Sequence, residues 1–315
     1  MQITSRPWRD EADYDRMHAL LADIYRICCP IVYCAPGDMD WWRYSGKDLE
    51  TMRAVQLWFA GEEIAGFCWP QTNGMDIMLH PHQQSLLPAL IEWSEQRQRT
   101  LAPEGAVFTL WCFEDDAARA ALLASLGYAK EEDHYRFHRL ELSRPLPPTV
   151  PLPAGYTIRH VRGDEDVAAR VEVHRAAFAP SRMTVEKHRA VVQARCYVPE
   201  LDLVAVAPDG SFAAFALAWY DGINRAGEFE PVGCHPDHQR RGLASAVIIE
   251  GLHRLRARGA DSATVFGNGD SPGSRLYAHL GFAVAGRCHA WRRSLAQESA
   301  SSASPSPTGP TGAIP

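Results

Sequence analysis

The chain repeats itself. Thr4-Ser5-Arg6-Pro7-Trp8-Arg9 runs in step with Thr157-Ile158-Arg159-His160-Val161-Arg162, and an acidic turn and a helical stretch follow each. Gly61 to Phe67 (GEEIAGF) answers Gly210 to Phe215 (GSFAAF), both patterned as hairpins. Leu79-His80-Pro81 answers Cys234-His235-Pro236, and Ala124-Ser125-Leu126-Gly127-Tyr128 answers Ala278-His279-Leu280-Gly281-Phe282. The offset stays between 148 and 155 residues. Matches in one order at one spacing mark a supersecondary unit used twice.

The punctuation of the chain agrees. Ser143 to Gly155 (SRPLPPTVPLPAG) holds five prolines and is expected to form a stiff, extended connector. Ala296 to Pro315 is Ser, Pro, Thr, Gly and Ala with little to bury, and is expected to be disordered. The expected organisation is a first domain over 1–142, a connector over 143–155, a second domain over 156–295 and a tail over 296–315.

With 46% hydrophobic and 22% charged residues the chain is globular in composition. No apolar run reaches the roughly 18 residues of a membrane span. Met1 to Asp10 lacks the apolar centre of a signal peptide. A cytoplasmic protein with no membrane partner is expected. A net charge of −6 argues against a nucleic-acid partner, which would favour a basic face. The eight cysteines form no C-x-x-C pair and are expected to be reduced, mostly buried thiols. His80-Pro81-His82 and His235-Pro236-Asp237-His238 lie in proline turns without supporting ligands, so no metal site is expected.

The second repeat carries the chemistry. A strand is expected over Glu228 to Cys234 and a helix from about Leu243. Between them, Gln239-x-x-Gly242-x-Ala244 reads as a turn at a helix N-terminus. There unpaired N–H groups and the positive end of the helix dipole favour phosphate. Gly242 removes the Cβ that would block close approach. Ala244 keeps the first turn narrow after Leu243, and Arg240 and Arg241 add charge. Downstream come an apolar strand, Ala263 to Phe266, and then Ser271-Pro272, an N-cap followed by proline at the first helical position. Leu276-Tyr277-Ala278-His279-Leu280-Gly281-Phe282 then reads as a helix ended by glycine and entering another strand. The first repeat lacks this equipment. It has Gln84-Ser85-Leu86-Leu87-Pro88-Ala89 in place of the turn and Leu123 opposite Tyr277.

The pair of motifs, Q-x-x-G-x-A and L-Y-x-x-x-G-F, over residues 228 to 287 resembles the GCN5-related N-acetyltransferase (GNAT) superfamily. The resemblance implies an α/β (α+β) fold: two tandem domains, each a mixed, mostly antiparallel twisted sheet flanked by helices. The first copy is then degenerate and the second catalytic. It implies acetyl-CoA as cofactor, with Gln239 to Ala244 on the pyrophosphate and the backbone near Val232 and Cys234 along the pantetheine arm. It makes Tyr277 the general acid at the thioester sulfur. Relatives often carry asparagine seven residues before that tyrosine. Here the position is Asp270, with Asn268 two residues earlier, and both are candidate cofactor contacts.

Amide formation from a thioester needs a neutral amine, a route for its proton and a proton for the departing thiolate. Glu228 and Glu230 alternate with Phe229 and Pro231, so both carboxylates face one side of the strand. Glu228 matches the general base of histone-type relatives, while Glu230 lies nearer the reacting centre in sequence; the base is one or the other. Pro231 and Gly233 interrupt a regular ladder and suggest a bulge. Cys234 is not required for direct transfer. The acceptor, a primary amine of a small molecule, is expected against residues from His174 to Tyr197 and their neighbours. Phe178, Met183, His188, Tyr197, Trp219, Tyr220 and Asp221 are the candidate lining. A non-catalytic acyl-CoA sensor or scaffold is the alternative function, and acetylation of a protein N-terminus or lysine a third.

Overall fold

The computed structural model describes residues 2–29, 31–46, 52–101 and 105–295; the expected tail lies outside them. The first half runs β1 (Ile3–Pro7), α1 (Glu11–Cys28), α2 (Pro36–Gly46), β2 (Gln56–Ala60), β3 (Glu63–Gln71), β4 (Gly74–Leu79), α3 (Leu87–Leu101), β5 (Val107–Phe113), α4 (Ala117–Ser125) and β6 (Ala129–Glu141). The second half repeats the series as β7 (Thr157–His160), α5 (Val167–Ala177), α6 (Val185–Val191), β8 (Asp202–Val206), β9 (Phe212–Asp221), β10 (Ala226–Cys234), α7 (Leu243–Ala257), β11 (Ser262–Asn268), α8 (Pro272–His279) and β12 (Ala283–Ser294). Residues 143–155 form no regular element. Leu146, Val150 and Leu152 pack from there onto the second half's core.

The repetition extends to single hydrogen bonds. Asp13 takes a two-pronged bond from the Arg6 guanidinium at 2.5 and 2.7 Å and the Arg9 N–H at 3.0 Å. Asp166 takes the Arg159 guanidinium and the Arg162 N–H at 2.8 Å. Each carboxylate thus ties the opening strand to the first long helix of its copy. Guanidinium pairing and backbone donation hold both Asp13 and Asp166 below the usual carboxylate range, against the effect of burial.

All strands join one sheet in the order β1-β2-β3-β4-β5-β12-β6-β11-β10-β9-β8-β7. The order shows an exchange. Last strand β12 of the second copy lies on β5 of the first, from Cys288↔Phe113 to Ser294↔Val107. Last strand β6 of the first copy lies on β11 of the second, from Ser262↔Glu141 to Asn268↔Tyr135. Side chains alternate across β6. Phe137 packs with Phe113 and Phe266 on one face, while His138 meets Tyr277 of α8 on the other.

Helix α2 fastens the first copy onto the second. It packs on α6, β9 and β10. Buried Asp40 accepts the Tyr14 hydroxyl and His18 Nε2, each at 2.8 Å, from its own copy, and the Cys196 N–H at 2.8 Å from the other. The approach needs a glycine: a Cβ on Gly37 would stand 2.5 Å from Trp219 Cβ and 2.8 Å from Glu228 Oε2. Both neighbours are buried, so neither yields cheaply. Gly37→Ala should therefore lower unfolding free energy by about 1–3 kcal/mol, the usual cost of overpacking. Urea denaturation checks this; a change below 0.5 kcal/mol (roughly the scatter for surface sites) would show that the helix can retreat freely.

Candidate active site

The sheet opens where the second copy's motifs meet. Strands β10 and β11 pair in parallel only from Ala226↔Ser262 to Glu228↔Thr264. Beyond that point β10 shifts register against β9 between Phe229 and Val232. Pro231, which has no N–H to give a ladder, lies within the shift. The free edge of β10 beyond it carries half-buried Val232 and Cys234. Burial pushes the Cys234 thiol up to about 11, against the opposing charge of Arg241. This thiol is a poor nucleophile at neutral pH.

Gly242 sits at the N-cap of α7 in the left-handed region (φ 77°), with no side chain capping the helix. Arg240 also has positive φ, at 62°. Left-handed residues set beside right-handed helical ones turn successive N–H groups to one side, making an anion-binding concavity. Leu243 drops into the core, Ala244 is half-buried, and Gln239 and Arg240 are exposed. Arg241 donates to the Tyr156 hydroxyl at 2.8 Å and the Asp237 carbonyl at 3.2 Å, so it braces the turn. The first copy differs. Its 3-10 turn Pro81–Leu86 runs directly into α3, the Leu87 N–H donates to the Gln84 carbonyl, and Pro88 has no N–H. The two histidine motifs are turn caps: His80 Nδ1 accepts from the His82 N–H and His235 Nδ1 from the Asp237 N–H, each at 3.2 Å.

Helix α8 starts as its sequence implies, with Ser271 accepting the Ser274 N–H at 3.2 Å and Pro272 in the first turn. It carries Tyr277 into the interior, edge-on to His138 with ring centres 5.5 Å apart. Burial and then the charge of Glu230 push the Tyr277 phenol up, so its O–H stays protonated. His138 is buried with no partner on either ring nitrogen, and burial lowers it to about 4, so it is neutral. The carboxylate of Asp270 is engaged by Arg136 of β6 at 2.5 Å. Asn268 is the exposed last residue of β11.

Glu228 and Glu230 are not surface charges. They meet a third carboxyl, Asp38, delivered by α2 from the first copy. The Asp38 N–H donates to Glu228 Oε2 at 3.1 Å, and the Asp38 carboxylate accepts the Ala35 N–H at 2.9 Å. The Asp38 carboxyl also lies close enough to both glutamates to influence their ionisation. Like charges so placed away from water oppose one another, so the three groups do not ionise independently. Burial, then the charge of Asp38, drives Glu228 and Glu230 well above the ordinary carboxylate range, and burial raises Asp38 as well. Glu228 is closed in, bordering a pocket of only 10 Å³, whereas half-buried Glu230 borders a cavity of 420 Å³.

The expected acceptor lining lies elsewhere than that cavity, with Trp219 and Asp221 bordering the small pocket at Glu228. None of Phe178, Met183, His188, Tyr197, Trp219, Tyr220 and Asp221 borders the large cavity. His188 and Tyr197 face the buried Arg170–Asp202 pair instead, and Trp219 donates its indole N–H to the Glu230 carbonyl at 2.6 Å. The walls come mainly from the first copy: Tyr33, Asp38, Trp42, Trp111 and Tyr135 among them. The exchange of strands places these residues beside the second copy's site, a proximity with no mark in either half's own sequence. The cysteines also depart from expectation: all are free, but four are buried, Cys196 and Cys234 are half-buried, and Cys28 and Cys29 are exposed.

Residues 216–291 match the model of the FR47-like protein family. A mycothiol acetyltransferase of Thermomonospora curvata is 31% identical over 218 residues, covering 66% of this chain and 69% of that protein. The chain belongs to the GCN5-related N-acetyltransferases. Its fold is also that of solved members. A GCN5-related N-acetyltransferase of Sphaerobacter thermophilus aligns with a TM-score of 0.64 at 22% identity, over 94% of this chain and 96% of that one. A tandem GNAT protein from the clavulanic acid biosynthesis pathway aligns at 0.69 and 16% identity, over 94% and 100%. The protein is thus an acyltransferase that moves acetyl to an amine, and no helix among its described residues is long and apolar enough to cross a membrane.

The raised carboxyls tie stability to pH. A carboxyl whose folded pKa exceeds its unfolded value, about 4.3 for glutamate, stabilises the fold fully below that value. The contribution is lost as pH rises through the folded pKa. Glu228→Gln keeps the shape and removes the titration. The melting temperature of the variant relative to the parent should therefore climb steadily between pH 5 and pH 8 (roughly the span above the unfolded value). A difference that is flat or falls with pH would mean that Glu228 ionises freely in the folded protein.

Proposed function

We propose that the second copy binds acetyl-CoA and acetylates a small-molecule primary amine by direct attack, with Glu230 as base and Tyr277 as acid. The observation that carries this reading is the position of Glu230. Its charge is felt by the Tyr277 phenol on one side, and its carboxyl borders the large cavity on the other.

The turn fits a pyrophosphate. Its left-handed Arg240 and Gly242, uncapped helix start and exposed Gln239 and Arg240 are what a phosphate needs. Val232 and Cys234 on the free edge of β10 would hold the pantetheine arm through backbone groups, and Asn268 is exposed beyond it. Asp270, paired with Arg136, is the weakest of the candidate contacts. Acetyl-CoA, when bound, supplies the activated acetyl group. Glu230 takes the proton that the ammonium must lose. As the carbon–nitrogen bond forms and the carbon–sulfur bond breaks, the Tyr277 O–H would give its proton to the departing sulfur and regain one from the second proton that the nitrogen sheds, which would restore the phenol. A base shifted toward neutrality by burial and by Asp38 suits this exchange. Glu228 and Asp38 hold that shift, and neutral His138 packs the phenol in place. The Thermomonospora relative, named for mycothiol acetylation, is consistent with a small-molecule acceptor.

Tyr277→Phe keeps the ring and its packing while removing the donor. Thiol release from acetyl-CoA with a good amine should fall by about 10- to 1,000-fold in kcat, with acetyl-CoA affinity by calorimetry within about twofold of the parent, since both keep the phosphate turn. Unchanged kcat in a chemistry-limited assay would make Tyr277 a packing residue only.

A further inference from the structure

We infer that the vestigial cofactor cleft of the first copy has become the seat for the acceptor's body, and that this acceptor is a primary amine carrying an extended apolar group. The inference rests on the acetyl-transfer reading above. The cavity measures 420 Å³, within the span of small-molecule sites. One end is bounded by Glu230 and Asp38. The other reaches Leu87, Leu110 and Leu123, where β4 and β5 pair only at Gly74↔Thr109 and splay as β10 and β11 do. In the second copy the matching splay faces the phosphate turn. In the first it faces the Pro88 start of α3, which offers no anion seat.

The chemistry of the walls selects the ligand. Trp42, Trp111 and Phe266 also line the cavity. Among the described residues the one arginine on the wall is engaged: Arg119 donates to the Ile77 carbonyl at 3.0 Å and the Trp111 carbonyl at 3.3 Å, and its guanidinium lies 4.0 Å from the Tyr33 ring centre. The remaining charged groups on the wall are acidic: Asp38, Glu230 and Asp76, the last accepting from Gln71 Nε2 at 2.5 Å. An ammonium group is therefore favoured at the carboxylate end and an apolar body along the aromatic wall. A polyhydroxylated body would leave hydroxyls unpaired against indole and phenyl faces, which is costly.

Calorimetric titration of the full chain with butylamine, hexylamine and octylamine, without acetyl-CoA, tests this, with glucosamine as the polar comparison. Affinity should rise about three- to fourfold per methylene, the usual worth of one buried CH₂, and glucosamine should bind more weakly than hexylamine. Leu110→Phe and Leu123→Phe, which fill the far end, should each cut the advantage of octylamine over butylamine by about tenfold, roughly two methylenes' worth. Equal affinity across the series, glucosamine matching octylamine, or an intact advantage in both folded variants would overturn the inference. If a variant fails to fold, the series on the parent protein decides. Length-dependent binding without thiol release from acetyl-CoA would contradict the catalytic roles of Glu230 and Tyr277 and leave the seat standing; thiol release without length dependence would do the reverse.

Discussion

Three carboxyl groups gathered at one site, two of them buried and the third half-buried, do not ionise independently. Asp38 comes from the first copy, and Glu228 and Glu230 from the second, and the Asp38 N–H donates to Glu228 across the junction. Ionising all of them would set like charges against each other away from water, so their affinity for protons rises. The cluster forms only while α2 of the first copy lies on β10 of the second. That seating depends in turn on Gly37 against Trp219 and on Asp40 gathering donors from both copies. The packing of one copy on the other is therefore also what sets the proton affinity of the proposed base.

The exchange of last strands works to the same end. By giving β6 to the second copy, the first contributes His138 against Tyr277 and Arg136 against Asp270. By receiving β12, it places Cys288 on the cavity wall. A duplicated acetyltransferase with separate sheets would have one active site and one idle copy. In the joined sheet the first copy supplies most of the cavity walls, one of the three carboxyls and the packing around the Tyr277 phenol.

Much of this was legible in the chain. The repeat at near-constant offset gave the succession of elements because each copy carries its own turn and cap residues, such as Ser271-Pro272 and the Arg-Asp pair that opens each half. The turn at the start of α7 was legible because Gly242 is required locally by its backbone angle. Asp38 was not, since nothing near Pro36-Gly37-Asp38 marks a catalytic neighbourhood. Its meaning comes from a contact 190 residues away in the chain. The choice between Glu228 and Glu230 was open for a related reason. Strand alternation puts both on one face, and only the walls built by the other copy make one closed and the other accessible. The walls of the large cavity were not legible because they come mainly from the first copy, whereas the acceptor lining was sought within the second.

The most direct measurement is the pH dependence of kcat/KM for amine acetylation in Asp38→Asn beside the parent protein. Its acidic limb reports ionisation of the base in the free enzyme. Asparagine keeps the size of Asp38 and removes the neighbouring charge that helps to raise Glu230. The acidic limb should move to lower pH in the variant, while the fold is kept. An acidic limb at the same pH in both proteins would contradict a coupled carboxyl cluster built across the two copies.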